Sequence, residues 1–362
     1  MVRVAVVGLG QVAQKIHLPA CLQIPEIDVV AACDPDSSRY PIIRGIYPQA
    51  ALYASASELL QKERPDVTII GTPPSSHSAI CLEALNFDSD VLCEKPFAAS
   101  LSEAEAVIAT AKRLNRAIAV NTQYPFMQFY AELLSKIEKL EFGRPYFIQC
   151  WQQMYHPACN DQLPWRRALE QSTLFDFGSH PIDLVCRIFG ALPSSVMAYT
   201  PRPFPELKSD AIAQMTMNFQ GQQLATFAFN RVSRAPEKYL EMRIDCENAS
   251  LRVSLGGVAR FSVDVTRDND KLRPRIRFGL LKGGECRIEA QGQSKVLATE
   301  ARPAYADATA RLLRQFLKAR GPSFPYDEIE RSRDILKIIF AAYESAAKGE
   351  PVKLRELTGE RL

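Results

Sequence analysis

The first third of the chain alternates apolar segments with segments of helical spacing, and this rhythm limits the fold more than any other feature. The apolar segments include VRVAVVG at 2–8, DVVAACD at 28–34 and DVTIIGTP at 66–73. Between the first two, QVAQKIHLPACLQI at 11–24 has the apolar spacing of a helix. Apolar strands that alternate with helices are typical of βαβ units in a parallel sheet covered on both faces. We therefore expect residues 1–122 to form a doubly wound α/β domain.

The rhythm changes after this domain, where longer segments alternate apolar and polar residues. RPYFIQCWQQM at 144–154 and QLATFAFNRV at 223–232 are two examples. Such alternation indicates a mostly antiparallel sheet with one covered face. Two helices are predicted near the end of the chain, at about 304–319 and 326–347. Residues 123–362 should therefore form an α+β domain with a large open sheet, whose last helices can pack back on the first domain.

Composition excludes several classes of protein. The net charge is only +3, with acidic and basic residues interleaved, which gives no reason to expect nucleic acid or an anionic membrane as a partner. The nine cysteines are scattered and form no Cys-x-x-Cys pair, so neither a disulfide framework nor a zinc site is predicted. The apolar start of the chain is too short for a signal peptide, and no segment is long enough for a membrane helix. We expect a soluble cytoplasmic protein without a bound metal.

A glycine-rich motif lies between the first predicted strand and the first predicted helix. Gly8-Leu9-Gly10-Gln11-Val12-Ala13 has the pattern G-x-G-x-x-A, in which the first glycine permits a tight turn and the second lets a pyrophosphate approach the backbone. Asp34 closes the next strand, where a carboxylate can hydrogen-bond the ribose of adenosine. The motif predicts a dinucleotide site that favours NAD(H), because the carboxylate repels a 2′-phosphate. Ser37, Ser38 and Arg39 can instead hold that phosphate, so NADP(H) remains an alternative.

Three residues are candidates for chemistry. Lys95, in Glu94-Lys95-Pro96, follows a predicted parallel strand at the edge where ligands bind in open α/β sheets. Its ammonium can polarise a substrate oxygen there, although an ordinary surface lysine is the alternative. Asp176 and His180 are four residues apart, which on one helix places them on the same face. The pair suits a general base, and a structural salt bridge or cap fits the spacing equally well.

The other histidines carry weaker signals. His77 follows GTPPSS at the exit of a predicted strand, where it can contact a cofactor or cap the next helix. His17 lies within the first predicted helix, and we expect it to be a packed or half-exposed helix residue. Metal ligation is disfavoured because no second histidine lies close to His180 in the sequence.

Together these segments resemble the family named after glucose–fructose oxidoreductase, inositol dehydrogenase and a rhizopine-catabolism protein. The matching segments follow one another along almost the whole chain: GLGQVAQKIHLPA (8–20), CDPDSSR (33–39), GTPPSSHS (71–78), VLCEKPFA (91–98), PWRRALEQSTLFDFGSHPID (164–183) and AAYESAAKGEPVKL (341–354). The resemblance implies a Rossmann domain that carries NAD(H) or NADP(H), and a second domain whose open sheet forms homodimers or homotetramers. It also implies that Lys95 lies beside the nicotinamide and that Asp176 and His180 serve in proton transfer.

The motifs and the resemblance define the expected sites. The residues expected to bind the cofactor are Gly8, Gly10, Gln11, Val12, Asp34, Arg39, Thr72, Pro73, His77, Glu94, Lys95 and Asn121. The residues expected to bind the substrate are Lys95, Tyr124, Trp165, Arg166, Asp176 and His180. The predicted reaction is hydride transfer between nicotinamide and a sugar, cyclitol or related polyol: His180 takes the hydroxyl proton, Lys95 polarises the oxygen, and Asp176 orients one of them. The alternatives are a glycoside hydrolase that works by oxidation and elimination, and a regulatory protein that binds nucleotide without catalysis.

The chain departs from the family pattern at several points. The family usually has glycines before Leu-x-Asp, where this chain has Glu170-Gln171-Ser172-Thr173, and often Arg-Phe where it has Pro125-Phe126. Both departures bear on substrate placement. The segment Asn86-Phe87-Asp88-Ser89-Asp90 replaces Ala-Gly-Lys-His and is expected to be an external loop. The basic stretch KLRPRIRFGLLKGG at 271–284 is predicted to be a solvated hairpin, with an anionic-substrate or partner site as the alternative.

Overall fold

The first domain contains a six-stranded sheet in which every neighbouring pair is parallel. The structure is a computed structural model and describes residues 1–156, 164–204, 206–234, 238–256, 260–268, 271–279, 283–290, 293–300 and 304–354. The strands of this sheet are β1 (Val2–Val7), β2 (Ile27–Cys33), β3 (Ala51–Tyr53), β4 (Val67–Ile70), β5 (Asp90–Cys93) and β6 (Ile118–Val120). Their order is β3-β2-β1-β4-β5-β6. Every residue of β4 and β5 is buried, as expected for central strands covered on both faces, and this confirms the doubly wound fold.

Helices connect these strands and cover both faces of the sheet. They are α1 (Leu18–Leu22), α2 (Tyr40–Ile46), α3 (Ala56–Glu63), α4 (Pro74–Asn86) and α5 (Leu101–Leu114). The helix predicted at 11–24 is divided, because a π-helical turn at Ala13–His17 precedes α1. Pro19 has no N–H group to donate to the carbonyl of Lys15, which accounts for the irregular turn at this point. Helix α5 is regular by contrast, and the Ser100 side chain caps it by accepting a hydrogen bond from the Glu103 amide.

The second domain is built on a nine-stranded sheet. Its strands are β7 (Pro145–Gln153), β8 (Ser195–Tyr199), β9 (Ile212–Asn218), β10 (Leu224–Asn230), β11 (Leu240–Cys246), β12 (Ser250–Leu255), β15 (Gly284–Ala290), β16 (Gln293–Glu300) and β17 (Val352–Lys353). The order is β16-β15-β12-β11-β7-β10-β9-β8-β17, and only β7 and β10 are parallel neighbours. Buried Ile148 and Cys150 alternate along β7 with partly exposed neighbours, which shows that one face is covered. The mostly antiparallel sheet predicted from the alternation is therefore confirmed.

Most of the predicted basic stretch forms a hairpin outside this sheet. Strand β13 (Arg260–Asp268) pairs antiparallel with β14 (Lys271–Gly279) in a separate two-stranded sheet. Residues 280–282 of the stretch lie outside the described residues.

Helices of the second domain complete the structure. They are α6 (Gln128–Glu138), α7 (Pro164–Ala168), α8 (Ser179–Phe189), α9 (Tyr305–Ala319) and α10 (Asp327–Lys348), with a π-helical turn at Thr173–Gly178 before α8. Helix α9 packs on the first domain, where the Thr309 hydroxyl donates to Asn121 Oδ1 at 3.1 Å. Just after α9, Arg320 Nε donates to Asp90 Oδ2 at 2.6 Å. Within the described ranges, every helix is either too short or too polar to span a lipid bilayer.

Candidate active site

A cleft of about 560 Å³ opens along the edge where β1, β2 and β4 end. Eight of the residues predicted to bind a cofactor line it: Gly8, Gly10, Gln11, Val12, Asp34, Arg39, Thr72 and Pro73. Trp165 and Arg166, which lie in α7 of the second domain, line the same cleft. The carboxyl ends of parallel strands therefore form one wall and the second domain closes part of another, as in ligand sites of open α/β sheets.

The two glycines of the motif are explained by different structural requirements. Gly8 has φ of +90°, and a Cβ atom there would lie 2.8 Å from the carbonyl carbon of Gly71, so this position cannot hold a side chain without strain. At Gly10 the nearest atom to a Cβ would be Arg39 Nη1, at 3.9 Å. The space above the Gly10 backbone is therefore open on the cleft side. This open cradle fits the close approach of a dinucleotide pyrophosphate to the backbone.

Asp34 is buried and fastens the glycine turn to the end of β2. Its Oδ2 atom accepts hydrogen bonds from the Leu9 amide at 2.8 Å and from Arg39 Nη1 at 2.9 Å. Its Oδ1 atom accepts from the Asp36 amide at 2.9 Å. The Arg39 side chain is 39% exposed and lies at the cleft wall. The carboxylate and the arginine on which the two cofactor alternatives depend are thus paired with each other.

Lys95 reaches from the end of β5 to Asp176 in the second domain. The lysine Nζ atom donates to the Asp176 main-chain carbonyl at 2.8 Å and lies 3.3 Å from its Oδ1 atom. Arg166 Nε donates to the other carboxylate oxygen, Oδ2, at 2.7 Å. Burial raises the pKa of the Asp176 carboxyl, but the charges of Lys95 and Arg166 outweigh burial and hold this pKa below its usual value. Asp176 is therefore an ionised carboxylate that fixes two cations.

His180 lies on the first turn of α8, against the ring of Tyr124. The two rings stack with centroids 3.9 Å apart and an angle of 4° between their planes. Among the described residues, no hydrogen-bond partner is found for the buried Nδ1 atom of His180. Burial, reinforced by the charge of Lys95, lowers the pKa of His180 to about 3. The imidazole is therefore neutral near pH 7 and keeps a nitrogen lone pair for a proton donor.

The four-residue spacing of Asp176 and His180 does not produce the contact that a regular helix predicts. Asp176 lies in the π-helical turn and His180 in α8, and no hydrogen bond between their described side chains is found, although the charge of Asp176 raises the pKa of His180 against the effect of burial. The hydrogen bonds described for the Asp176 carboxylate come from Lys95 and Arg166. The carboxylate therefore orients the lysine.

Four residues predicted to bind the cofactor lie outside the lining of the cleft: His77, Glu94, Lys95 and Asn121. Glu94 Oε1 accepts from Asn121 Nδ2 at 2.6 Å and lies 2.9 Å from His17 Nε2, while Oε2 accepts from the Lys95 amide at 3.1 Å. Burial raises the pKa of Glu94, but the contact with His17, the hydrogen bond from Asn121 and the charge of Lys95 bring it to about 2. Glu94 and Asn121 thus hold the backbone that carries Lys95.

The two buried histidines of the first domain support the same strand ends. His17 contacts Glu94 and is fully buried, so it is not half-exposed. The ring nitrogens of His77 both lie 2.8 Å from carbonyl oxygens, those of Pro96 and Thr72. His77 therefore connects the exit of β5 to the exit of β4. Nothing in the sequence around His17 signals its contact with Glu94, because the two lie on different βαβ units.

Burying neutral histidines should make the stability depend on pH. The ordinary pKa of His180, 6.5, applies to the unfolded chain, whereas the folded value is about 3. Between these values the unfolded state binds a proton that the folded state does not, so the free energy of unfolding falls as the pH is lowered, by about 1 kcal/mol per pH unit. Burial lowers the pKa of His77 as well, so His77 also lowers the free energy of unfolding as the pH falls.

Urea unfolding of the wild type and of His180→Asn between about pH 7 and pH 5 checks this expectation. The variant should lose less stability on acidification than the wild type, whatever its stability at neutral pH. Parallel losses in the two proteins would show that His180 is not buried as a neutral group.

Comparisons with known proteins agree with this geometry. Residues 2–122 match the family described as an oxidoreductase family with an NAD-binding Rossmann fold, and residues 130–252 match the GFO/IDH/MocA C-terminal domain. D-glucoside 3-dehydrogenase of Escherichia coli (strain K12) is 28% identical over 194 residues, 52% of this chain and 54% of that protein. 1-carboxy-3-chloro-3,4-dihydroxycyclo hexa-1,5-diene dehydrogenase of Comamonas testosteroni is 28% identical over 186 residues, 51% of this chain and 46% of that protein. The chain thus spans about half the length of these curated relatives.

A solved structure gives the same fold over nearly the whole chain. The oxidoreductase from Agrobacterium radiobacter, crystallised in complex with NAD+, L-tartaric acid and magnesium, superposes with a TM-score of 0.79 at 20% identity, covering 98% of each chain. The two matched family domains together span most of the sequence and include both sides of the cleft. On this evidence, the chain belongs to the Gfo/Idh/MocA oxidoreductase family, whose first domain is an NAD-binding Rossmann fold.

Proposed function

We propose that this protein is an NAD(P)-dependent dehydrogenase or reductase that acts on a CH–OH group of a sugar, cyclitol or sugar derivative. The observation that carries the proposal is the position of the Lys95 ammonium, fixed by Asp176 at the carboxyl edge of the parallel sheet next to the dinucleotide cleft. The curated relatives support the substrate class, since one is named a glucoside dehydrogenase and two are named D-apiose dehydrogenases.

Each of the three polar residues has a separate role in this reaction. A bound nicotinamide dinucleotide accepts or supplies the hydride. The Lys95 ammonium stabilises negative charge on the substrate oxygen, and Asp176 holds that ammonium in place. Neutral His180 accepts the hydroxyl proton in the oxidation direction and returns it in reduction, and because its pKa is only about 3 this transfer depends on Lys95 stabilising the substrate oxygen as it loses the proton. Tyr124 supports the imidazole plane by stacking, and Trp165 and Arg166 line the cleft from the side of the second domain.

Assays with NAD+ or NADP+ and a panel of polyols, cyclitols and glycosides test the reaction class. Reduced nicotinamide should accumulate in proportion to oxidised product, and His180→Asn should slow its appearance. Cleavage of a glycoside without net formation of reduced nicotinamide would instead indicate the oxidation–elimination alternative. If nucleotide binds but none of the substrates is converted and Lys95 can be replaced without effect on any ligand, the regulatory alternative would be favoured.

We propose NAD(H) as the preferred cofactor, with NADP(H) as the alternative. The Asp34 carboxylate is buried at the end of β2 and lines the cleft, where it can hydrogen-bond the ribose of the adenosine. Arg39→Ala is a mild probe because this side chain is 39% exposed. We expect the variant to bind NADH nearly as well as the wild type and NADPH more weakly, because it leaves Asp34 without its compensating cation. A large loss of NADH affinity measured by nicotinamide fluorescence would contradict this assignment.

We also propose a homodimer or homotetramer formed through the open face of the nine-stranded sheet. Tyr199 in β8 is 57% exposed and alternates with buried Ala198 and Val196, which supports a face available for burial. The eight described cysteines are all free and buried, which supports the reducing cytoplasm as the location; Cys159 lies outside the described residues.

A further inference from the structure

A buried carboxylate lies directly beneath the turn that carries Asp176. Asp210 precedes β9 and is 2% exposed. Its Oδ1 atom accepts hydrogen bonds from the backbone amides of Ser172 at 2.6 Å and Thr173 at 2.9 Å. The Thr173 hydroxyl also donates to the Asp210 main-chain carbonyl at 2.9 Å. These contacts fall on the segment where the chain departs from the family's glycine pattern.

Tyr343 of α10 connects the Asp210 carboxylate to one more backbone amide of the same turn. Its hydroxyl donates to Asp210 Oδ2 at 3.0 Å and accepts from the Leu174 amide at 2.9 Å. Three consecutive backbone N–H groups, at 172, 173 and 174, are therefore held by Asp210 directly or through Tyr343. The first amides of a helical segment have no partner within it, and a carboxylate is favourable at that end.

The same segment is bonded to the proposed reaction centre. The Asp176 amide donates to the Ser172 carbonyl at 2.9 Å. The Lys95 Nζ atom in turn donates to the Asp176 carbonyl. A continuous series of hydrogen bonds thus runs from Asp210 through Ser172 and Asp176 to Lys95. A displacement of the Ser172 amide therefore moves the atoms that hold the ammonium.

Capping the first amides accounts for a carboxylate at this position, because an apolar side chain would leave the amides of Ser172 and Thr173 without an acceptor. The further role follows from what the capped turn carries. The bonds that Asp210 makes are directed at the start of one turn. That turn carries Asp176, and His180 follows it at the start of α8.

We propose that Asp210, with Tyr343 as its partner, is a positioning residue that sets the place of Asp176 and through it the place of the Lys95 ammonium. The inference rests on the proposed dehydrogenase function, but the connection to Lys95 can be tested without turnover. Asp210 touches none of the reacting groups itself, so its effect is expected on kcat and not on cofactor affinity.

The test compares Asp210→Ala with Asp90→Ala as a matched control. Asp90 is also buried and also accepts a backbone amide, that of Ala117 at 2.8 Å, but it lies at the start of β5, at the opposite edge of the sheet from Lys95. Both variants should lower the melting temperature. Only Asp210→Ala should lower kcat, by roughly 100-fold, the effect of a displacement of about 1 Å in a catalytic group. The Kd for NADH should stay nearly unchanged in both.

Two further variants keep the test informative if Asp210→Ala does not fold. Asp210→Asn retains an oxygen that accepts from Ser172 and Thr173, so it should recover most of the lost kcat. Tyr343→Phe removes the link to Leu174 alone and should lower kcat by less than Asp210→Ala. Equal losses of kcat in Asp210→Ala, Asp210→Asn and Asp90→Ala would overturn the positioning role, because lower stability of the protein alone would then explain them.

Competitive labelling with acetic anhydride separates this inference from the proposed function. The yield of acetyl-Lys95 is measured by mass spectrometry against Lys62, whose side chain is 59% exposed. Lys95 should be labelled slowly in the wild type and several-fold faster in Asp210→Ala, with no change in Asp90→Ala. That result would support the positioning role even if no dehydrogenase substrate were found. Unchanged labelling in a folded Asp210→Ala would refute it even if the dehydrogenase activity were established.

Discussion

Replacing Lys95 by methionine is expected to lower kcat by a factor of about 10² to 10⁴, the range for loss of a positioned group that assists proton transfer or charge development. Methionine keeps much of the aliphatic stem and removes the ammonium that donates to Asp176. The binding surface of the cleft is unaffected, because Lys95 does not line it. The Kd for NADH should therefore change little. The loss of kcat would then reflect lost stabilisation of the transition state.

Lys62→Met is the matched control for this substitution. Lys62 is an exposed lysine of α3 that pairs with Glu58 at 2.7 Å on the helix surface. Such surface pairs contribute little to stability, so kcat and the melting temperature should both stay near the wild-type values. A Lys95→Met enzyme that retained most of its turnover would remove Lys95 from the mechanism.

The second large effect is expected at Gly10. A Cβ atom at this position meets no other protein atom closer than 3.9 Å, so Gly10→Ala should leave the melting temperature unchanged. The added methyl group instead occupies the cradle into which the pyrophosphate must fit. Overpacking of this kind costs roughly 1–3 kcal/mol, which corresponds to an increase in the Kd for NADH of about 5-fold to 150-fold.

Two other glycines give this prediction its controls. Gly8→Ala forces a side chain onto a left-handed backbone and into Gly71, so it should lower the melting temperature as well as the affinity. Gly45 in α2 has nothing within 4 Å of a Cβ atom, and Gly45→Ala should leave affinity unchanged. If Gly10→Ala bound NADH as tightly as the wild type, the dinucleotide would not use this turn.

The features that follow from local pattern could be predicted from the sequence. Apolar runs alternating with helices specify a parallel sheet, and parallel strands place their carboxyl ends at one edge. For that reason Gly8, Asp34 and Thr72 could be assigned to one cleft before any coordinates were known, and they do line one cleft. The alternation in segments such as 223–232 likewise indicated the mostly antiparallel sheet of the second domain.

The partners of the polar side chains could not be predicted, because they depend on packing between segments far apart in the chain. The interpretation of the spacing of Asp176 and His180 assumed one regular helix, whereas Asp176 lies in a π-helical turn that ends before α8 begins. The contact of His17 with Glu94 and the contacts of Asp210 with Ser172 join residues from different elements. Each of these contacts places a buried polar group next to another polar group, since buried polar groups need hydrogen-bond partners.

The most direct test of the central claim is a titration of the purified protein with NADH and with NADPH, followed by nicotinamide fluorescence, after acid extraction has shown whether nucleotide is already bound. The account predicts saturable binding of a nicotinamide dinucleotide, tighter for NADH than for NADPH and weakened by Gly10→Ala. Binding of neither cofactor by a folded protein that carries no nucleotide would contradict the assignment of this chain as a nicotinamide-dependent oxidoreductase.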